Sequence, residues 1–366
     1  MNDNDYQCRY KGIVIGKGDS NMKSYKKLLH MFIIMSAFVL VLAGCGSNNE
    51  DAATTDESAE TAEGYPITIK HALGETVIDK KPERVATIAW SNQDVALALD
   101  VVPVGFSAAN YGVQDGSGML PWTAEKLKDL GEENPNIYQD TDGLDFEAIA
   151  DSQPDVILAA YSGITQEDYD TLSEIAPVVA YQETPWVSSW QDTVLYDSIA
   201  MGMEAEGKQL IEDTEKLIAD KAAEVTDMAG KKAAFIALSP DDLSKFYIYT
   251  TGDPRGAFIE ELGMEYPKNI TDQIKDENSF YLELSSENAD ILNDVDIFVA
   301  YGNEETLKAL QADPLYSKVP AIERGSVVMI EDNTPLAAAG TPSPLSIEYT
   351  IDDYLKLVSE AIGKVE

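Results

Sequence analysis

Two segments in opposite halves of the chain resemble each other, and this repeat constrains the fold more than any other feature. Residues 144–163, LDFEAIADSQPDVILAAYSG, and residues 284–303, LSSENADILNDVDIFVAYGN, share one order of residue types. Each contains a leucine, a polar residue suited to cap a helix, a glutamate, a short helix, an aspartate and a buried strand that ends at a tyrosine. The two strands align with a shift of one residue. A repeated unit of this kind predicts two similar α/β lobes.

The N-terminal half alternates strand-like and helix-like segments. RVATIAW, VPVGFS, PDVILAAYSG and APVVAY have the composition of buried strands, and the helical segment SNQDVALALDV follows the first of them. Ser91 is predicted to cap that helix, with Asp94 in its first turn. A short hairpin, PITIKHALGETVI, precedes these elements. Strands that alternate with helices indicate a parallel sheet whose faces are covered by helices.

The pattern changes after residue 188. Residues 189–228 contain no proline, and their apolar positions have helical spacing, which predicts one long helix, interrupted if at all near Gly202 or Gly207. KKAAFIALS, KFYIYT, VDIFVAYG and GSVVMI then form a second set of strands, and SPLSIEYTIDDYLKLVSEAI ends the chain as a helix. The predicted fold class is α/β, with two Rossmann-like lobes joined by one long bridging helix and a ligand cleft between the lobes.

The first 44 residues have the pattern of a secretory signal. A lysine-rich segment precedes the apolar run at residues 31–43, which is too short for an ordinary membrane span, and the run leads into LAGC. The chain has two cysteines, Cys8 and Cys45, so removal of the signal would leave Cys45 first in the chain and without a disulfide partner. LAGC resembles the bacterial lipobox, and we expect lipidation of Cys45. An uncleaved membrane anchor is the alternative.

Further divisions follow from composition. A complete signal begins at Met22, and residues 1–21 add nothing that a signal needs, so we expect translation to begin at Met22. Residues 45–64 are small, polar and acidic, which predicts a flexible tether. The remaining predicted divisions are an N-terminal lobe at 65–188, the bridging helix at 189–228 and a C-terminal lobe at 229–366. We therefore expect a protein that is lipid-anchored on the outer face of the cell membrane, as in Gram-positive bacteria.

The chain is strongly acidic and poor in histidine. Its 26 Lys and Arg oppose 65 Asp and Glu, which gives a formal net charge of −39 at pH 7. Such a chain repels phosphate backbones, so we expect no binding to nucleic acid. His71 is the one histidine after Cys45 and lies in a strand-like segment, which argues against a histidine-rich metal site and against Ser-His or Cys-His catalysis. No Walker-type loop or GxSxG motif is present, and we expect neither enzymatic activity nor a cofactor.

Five segments resemble the substrate-binding lipoproteins of iron(III)–siderophore ABC importers, in the group of hydroxamate-siderophore and vitamin B12 binders. These are ERVATIAWSNQDVALALDVVPVG, DTDGLDFEAIADSQPDVILAAYSGITQEDYDTLSEIAPVVAY, DPRGAFIEELG, LSSENADIL and AAGTPSPLSIEYTIDDY, which together span residues 83–354. The fold of that family is two Rossmann-like lobes bridged by one helix. The resemblance implies that a membrane-anchored monomer captures a ferric siderophore and delivers it to permease subunits and their ATPase. The siderophore, not the protein, would hold the iron.

Aromatic side chains are the main candidates for ligand contact, because a ferric siderophore exposes a bulky organic shell. The candidates are Trp90, Tyr161, Trp186, Trp190, Tyr249 and Tyr301. Tyr161 and Tyr301 follow the carboxyl ends of the two repeated strands, where open α/β sheets bind ligands. Trp90 directly precedes the first helix cap, and Trp186 and Trp190 lie in ETPWVSSWQD, where the last strand of the first lobe passes into the bridging helix. The alternative for each tryptophan is a place in the core or at the hinge.

Arg255 is the candidate for a polar ligand contact. It lies in TTGDPRGAF, where a loop enters a helix, and it is one of three arginines after Cys45. The rigid guanidinium fork suits hydroxamate or carboxylate oxygens, and the family motif also has an arginine here. The alternative is a salt bridge to Asp253 or Glu260. Because so few arginines oppose so much acid, a neutral or cationic hydroxamate complex fits better than a trianionic catecholate.

Glu147 and Glu287 occupy equivalent positions in the repeated segments. In the family that the chain resembles, one glutamate on each lobe docks to arginines of the permease, and the resemblance implies this role for these two residues.

Other cargoes and classes stay open at this point. A corrinoid or a haem is the first alternative, with Tyr161 or Tyr301 as an axial ligand of haem. An extracytoplasmic enzyme that uses two carboxylates is the second, although no pair of acids stands out. An adhesion lipoprotein without a small-molecule ligand is the third.

Overall fold

The computed structural model of the protein describes residues 64–140, 142–239, 241–275 and 279–365. The predicted signal, the start at Met22, the lipidation of Cys45 and nearly all of the tether lie outside the described residues. Among the helices that are described, none has the length and apolar character needed to cross a membrane.

The described strands belong to one hairpin and two five-stranded sheets. The strands are β1 (Ile67–His71), β2 (Gly74–Ile78), β3 (Val85–Thr87), β4 (Gly105–Ser107), β5 (Ile137–Tyr138), β6 (Val156–Ala159), β7 (Val178–Ala180), β8 (Ala233–Ser239), β9 (Asp242–Tyr249), β10 (Tyr281–Ser285), β11 (Ile297–Tyr301) and β12 (Val327–Ile330). The α-helices are α1 (Asn92–Ala98), α2 (Pro121–Asp129), α3 (Phe146–Asp151), α4 (Gln166–Ser173), α5 (Trp190–Ala200), α6 (Glu204–Ala223), α7 (Pro254–Glu261), α8 (Lys268–Thr271), α9 (Glu304–Ala312), α10 (Pro320–Arg324), α11 (Pro335–Ala338) and α12 (Pro344–Ile362). Two 3₁₀ helices cover Ser286–Asp294 and Tyr316–Lys318.

The first sheet has the strand order β5-β4-β3-β6-β7, and all of its strands are parallel. Every residue of β3, β6 and β7 is buried. A strand buried on both faces explains why the sequence shows short continuous apolar runs here, with no alternation. The predicted hairpin of β1 and β2 is confirmed as an antiparallel pair.

The second sheet has the order β10-β9-β8-β11-β12. Strands β8, β11 and β12 are parallel, whereas β9 runs antiparallel to both of its neighbours, β8 and β10. The central strands β3 and β8 are therefore equivalent, and so are β6 and β11, the two strands of the repeated segments. The predicted duplication of an α/β lobe is confirmed by this topology.

The connection between the lobes consists of two consecutive helices, α5 and α6. The turn between them includes Gly202, whose φ of 67° lies in the left-handed region that favours glycine. A Cβ atom at Gly202 would also collide with the hydroxyl of Tyr65. Gly207 lies inside α6, where a Cβ atom would collide with Ser198 of α5. The helix is thus interrupted at Gly202, while Gly207 allows the two helices to pack closely.

The C-terminal helix α12 forms a second link between the lobes. It packs against α1 and α2 of the first lobe, against β11 and β12 of the second, and against α6. One continuous buried cluster accordingly contains Val95 and Val156 of the first lobe together with Ile236, Val299 and Ile351. Because the lobes share buried apolar surface in addition to the α5–α6 connection, we expect any closing motion to be small.

Candidate ligand-binding site

The second lobe brings three of the predicted site residues together. Tyr249 ends β9 and Tyr301 ends β11, and the ring of Phe235 lies between them, with ring centroids 5.5 and 5.0 Å away respectively. The Cζ atom of Arg255 lies 3.8 Å from the centroid of the Tyr249 ring, which is the geometry of a cation–π contact. Tyr249, Arg255 and Tyr301 therefore form one aromatic and cationic surface.

Arg255 is paired with Asp253, the residue that caps α7. The Asp253 Oδ1 atom accepts hydrogen bonds from the Arg255 backbone N–H at 2.9 Å and from its Nε at 2.7 Å, and Oδ2 accepts from Nη2 at 2.7 Å. The side chain of Asp253 is 2% exposed and that of Arg255 is 20% exposed. Of the two partners that the sequence left open, the structure therefore selects Asp253.

The pairing with Asp253 affects the pKa of the Arg255 guanidinium. Burial alone would lower the pKa of Arg255, but the negative charge of Asp253 and its hydrogen bonds to the guanidinium help to outweigh burial, and that pKa is raised well above its ordinary value. Arg255 therefore stays charged. Because Nε and one N–H of Nη2 donate to Asp253, the Nη1 edge, with the second N–H of Nη2, is the part of the fork that can donate to a ligand.

The first lobe contributes Tyr161 and Trp186. Tyr161 follows β6, and its ring meets the half-buried ring of Trp186 edge to face at a centroid distance of 5.5 Å. The backbone N–H of Trp186 donates to the carbonyl of Ser162 at 3.0 Å. A Cβ atom at residue 163 would collide with the Trp186 indole, so Gly163 is needed for this close approach. The glycine of the YSG sequence thus helps to place the tryptophan.

The site residues of the first lobe lie close to those of the second lobe at the boundary between the lobes. Burial raises the pKa of Tyr161 to about 12, and the charge of Asp253 adds to this effect, while Arg255 and a hydrogen bond with Thr341 oppose it. Burial likewise raises the pKa of Tyr301, and the nearby Arg255 opposes this. We call Tyr161, Tyr249, Tyr301 and Arg255, with Asp253, the tyrosine–arginine cluster. Its hydroxyls stay protonated at neutral pH and can donate hydrogen bonds.

Asn92 joins the loops that carry Trp90 and Tyr161, a role that the sequence did not suggest. Its side-chain amide donates to the carbonyls of Trp90 at 3.1 Å, Tyr161 at 3.0 Å and Ile88 at 2.7 Å, and its Oδ1 accepts the Tyr161 N–H at 3.1 Å. Asn92 is fully buried. The sequence contained one indication of this role: Asn92 is a polar residue in the first turn of a helix that directly follows a buried strand.

The loop around Trp90 departs from the predicted cap. Ala89 and Ser91 have φ values of 63° and 61°, and the side chain of Ser91 makes no capping hydrogen bond, so that part of the prediction is wrong. Ser91 still occupies the cap position, with a left-handed backbone, and the side chain of Asn92 bonds to the loop there. Trp90 itself is half-buried and packs against the buried cluster of Leu120, Trp122 and Ala338, the last of which belongs to the second lobe.

The structure does not bring Trp190 to the cluster. Its side chain is 4% exposed within the core, and its indole Nε1 donates to Glu261 Oε2 at 2.9 Å. The indole fixes α5 against α7 of the second lobe, which is the core role that was the alternative for each tryptophan. We therefore leave Trp190 out of the proposed site.

Two polar contacts hold the lobes together beside the cluster. The Tyr111 hydroxyl donates to Asp332 Oδ1 at 2.6 Å and accepts the Asn333 N–H at 3.2 Å. In the second contact, buried Asp94 of α1 accepts from the Ser343 hydroxyl at the start of α12, at 2.7 Å. Asp94 also accepts from Trp122 Nε1 at 2.8 Å. These contacts were not foreseen, because partners on different lobes leave no local pattern in the sequence.

Glu147 and Glu287 lie at matching places on the two lobes. Each is the second residue of the helix that precedes the repeated strand, in α3 and in the first 3₁₀ helix, and each is exposed. The caps of these helices are Asp145 and Ser285, whose side chains accept backbone N–H groups of the first turn. The repeat therefore places two equivalent carboxylates on the surface, one on each lobe.

No group of three His, Cys, Asp or Glu side chains with the geometry of a metal site occurs among the described residues. His71 is buried at the end of β1, where its Nε2 lies 2.9 Å from the Thr76 hydroxyl, so it has a structural role.

The protein has two α/β lobes, and aromatic and charged side chains lie together at their boundary. This arrangement is typical of a substrate-binding protein. Residues 85–334 match the family of periplasmic binding proteins, and the chain belongs to that family. The prediction of a two-lobed α/β fold and of this family is confirmed.

Two proteins of known structure and one named protein are similar to this chain. Over 82% of its length the chain is 52% identical to all of PiaA from Streptococcus pneumoniae TIGR4, solved in complex with ferrichrome, with a TM-score of 0.78. It is 25% identical to Staphylococcus aureus SirA complexed with staphyloferrin B, over 80% of this chain and 98% of SirA, with a TM-score of 0.62. It is 26% identical to a probable siderophore-binding lipoprotein of Bacillus subtilis strain 168, YfiY, over 90% of this chain and 97% of YfiY.

Proposed function

We propose that this protein is the extracytoplasmic substrate-binding lipoprotein of an ABC importer, and that it captures a ferric siderophore of the hydroxamate type. The observation that carries the proposal is the tyrosine–arginine cluster at the boundary between the lobes. The 52% identity to PiaA, a protein solved with ferrichrome, supports the hydroxamate class. The similarity to YfiY, named as a siderophore-binding lipoprotein, supports lipid anchoring through Cys45.

The cluster suits a ferric trihydroxamate chemically. The rings of Trp186, Tyr161 and Tyr301 offer apolar faces to the organic shell of the chelate. The Nη1 edge of Arg255 and the protonated tyrosine hydroxyls can donate to hydroxamate oxygens around the iron. The siderophore keeps the iron coordinated throughout, so the protein needs no metal ligands and performs no chemical step.

Delivery to the permease is the second part of the proposal. Glu147 and Glu287, one on each lobe, are the docking residues, and permease subunits with their ATPase are the partners. A monomer suffices for this role, because each lobe supplies one docking carboxylate. Lipid anchoring would hold the protein near the permease on the outer face of the membrane.

A corrinoid or a haem is the second candidate cargo. The raised pKa values of Tyr161 and Tyr301 disfavour the phenolate that would ligate haem iron. A carboxylate-dependent enzyme has less support, because the carboxylate of the cluster, Asp253, is already engaged by Arg255.

Titration of tryptophan fluorescence tests the proposal. The chain from residue 46 onward would be titrated with ferrichrome, a ferric tricatecholate and cyanocobalamin. We expect saturable quenching by ferrichrome, because Trp186 lies against the cluster. Quenching by cyanocobalamin alone would instead assign a corrinoid cargo, and an absence of any response would contradict the proposal.

A further inference from the structure

We propose that Asp253 sets the charge preference of the site: by cancelling the charge of Arg255, it makes the cleft accept neutral ferric chelates and reject anionic ones. The inference rests on the proposed function and deepens it. It concerns which siderophores enter the site and assigns that choice to a residue that does not need to touch the ligand.

The geometry of the pair is the first observation. Asp253 engages Arg255 through two side-chain hydrogen bonds of 2.7 Å, and its own side chain is almost wholly buried. The ring of Tyr249 covers one face of the guanidinium at 3.8 Å. A ligand therefore meets an arginine whose charge is already compensated and whose remaining N–H donors are the two on Nη1 and one on Nη2. Such a group can donate a hydrogen bond to a neutral oxygen but has little attraction left for an added negative charge.

The absence of other arginines from the cluster is the second observation. Arg84 donates to the backbone carbonyls of Gln153 and Ser152, at 2.7 and 2.5 Å. Arg324 donates to the Ser326 hydroxyl at 2.8 Å and to the Asp296 carbonyl at 2.6 Å. Both arginines after Cys45 other than Arg255 thus have structural roles at other places in the fold.

The net charge of the tyrosine–arginine cluster is the third observation. Burial raises the pKa values of Tyr161, Tyr249 and Tyr301. The charge of Asp253 raises these pKa values further, and the charge of Arg255 lowers them. The two charges are opposite, so the cluster has no formal net charge. A trianionic chelate would bring three negative charges into this partly desolvated site, inside a chain whose net charge is already −39.

The variant Asp253→Asn tests the inference. Asparagine retains the shape and the oxygen that caps α7, but it leaves the charge of Arg255 uncompensated. We expect affinity for ferric enterobactin, a trianionic tricatecholate, to rise about tenfold or more, while affinity for ferrichrome changes by less than about threefold. Both affinities would be measured by fluorescence quenching, with unfolding curves to verify that the variant is folded. Asp253→Ser, which keeps a capping hydroxyl, serves in the same test if the asparagine variant is unstable.

Asp294→Asn is the matched control. Asp294 is an exposed aspartate of the second lobe that pairs with Lys232, at 2.6 Å, so its replacement makes the same change in net charge away from the cluster. We expect the control to alter neither affinity. An equal gain in the control and in Asp253→Asn would assign the effect to overall charge and overturn the inference.

The remaining outcomes separate the inference from the proposed function. Tight binding of ferric enterobactin by the unchanged protein, or no gain in Asp253→Asn, would overturn the role of Asp253 and leave siderophore capture intact. If the unchanged protein bound no ferrichrome, the proposed hydroxamate function would fail. A gain in anion binding by Asp253→Asn would in that case still support the role of Asp253.

Discussion

The two lobes share one strand order and differ in the direction of one strand. In the first lobe β4 runs parallel to the central β3, whereas in the second lobe the equivalent β9 runs antiparallel to β8. The reversed strand ends at Tyr249 and leads within a few residues to Asp253 and Arg255 at the start of α7. In the first lobe, the chain after β4 instead forms a long loop that carries Tyr111 to the second lobe.

This difference explains how a duplicated fold forms an asymmetric site. The shared strands β6 and β11 place Tyr161 and Tyr301 at equivalent carboxyl ends. The reversed strand leads to the Asp253–Arg255 ion pair, and among the described residues of the first lobe no arginine pairs with a carboxylate. The repeat thus accounts for the position of the site, and the departure from the repeat accounts for its charge chemistry.

Replacement of Arg255 by alanine should have the largest effect, because it breaks a buried ion pair and removes the guanidinium donor of the second lobe. The buried carboxylate of Asp253 would lose its partner, which should lower the free energy of unfolding by about 3 kcal/mol. Ferrichrome affinity should fall about 100-fold, because the donor and the packing over Tyr249 are lost together. Urea unfolding and fluorescence titration measure the two effects. Arg84→Ala, in the first lobe, is the control and should leave ferrichrome affinity unchanged.

The docking proposal treats the lobes as equivalent, and iron uptake tests that equivalence. Cells that depend on this protein and carry Glu147→Ala with Glu287→Ala should take up radioactive iron from ferrichrome about tenfold more slowly, because two charged contacts with the permease are lost. Binding of ferrichrome to the purified variant should be unchanged. Glu206→Ala with Glu305→Ala, two exposed glutamates in the first turns of other helices, is the control. Normal uptake by the first double variant would remove Glu147 and Glu287 from the mechanism.

The two cluster tyrosines allow a direct comparison between equivalent positions. Tyr161→Phe and Tyr301→Phe should each weaken ferrichrome binding about 3- to 10-fold, because each removes one hydroxyl donor from the site. Tyr316→Phe is the control, since its buried hydroxyl has no hydrogen-bond partner among the described residues. If one lobe alone lost affinity, the ligand would bind closer to that lobe, and the symmetric description of the tyrosines would be wrong.

Much of the fold followed from local patterns in the sequence. Continuous apolar runs predicted β3, β6 and β7, and the repeat predicted two lobes. The sequence offered both Gly202 and Gly207 as interruptions of the bridging helix. Only the structure shows that Gly202 adopts a left-handed conformation, whereas Gly207 permits close packing inside a helix. The packing of α12 on both lobes was not predicted, because amphipathic spacing identifies an apolar face without its partner.

The composition of the tyrosine–arginine cluster was predicted in part. Tyr161, Tyr301 and Arg255, which the structure places together, were predicted as ligand contacts because strand ends and helix starts are visible in the sequence. Trp190, also predicted as a ligand contact, lies in the core instead of the cluster, since its position at the start of a helix does not tell whether its indole faces the core. Asn92 was missed, because its four side-chain hydrogen bonds join segments that are distant in sequence. Residue type and local position predict which groups could act, but their partners depend on the packing of the lobes.

Buried aspartates provide the last comparison between the lobes. Asp253 of the second lobe is buried and paired with an arginine. Asp197 in α5, which packs on the first lobe, is also fully buried. Neither of its carboxylate oxygens has a hydrogen-bond partner of good geometry among the described residues. Burial raises the pKa of Asp197 well above its ordinary value, and the backbone amide of Ala160 offsets only part of this.

The raised pKa of Asp197 predicts a specific dependence of stability on pH. A group of this kind contributes full stability below the ordinary pKa of aspartate and loses it as pH rises through the raised pKa of the folded state. Asp197→Asn removes the titration and should be more stable than the unchanged protein at pH 8 by about 1–3 kcal/mol, with a smaller difference at pH 4. Urea unfolding across this range measures the effect, with the exposed Asp213→Asn as control. A difference that is constant with pH would show that Asp197 is ionised in the folded protein, and the first lobe would then contain a buried charge that its fold stabilises without an arginine.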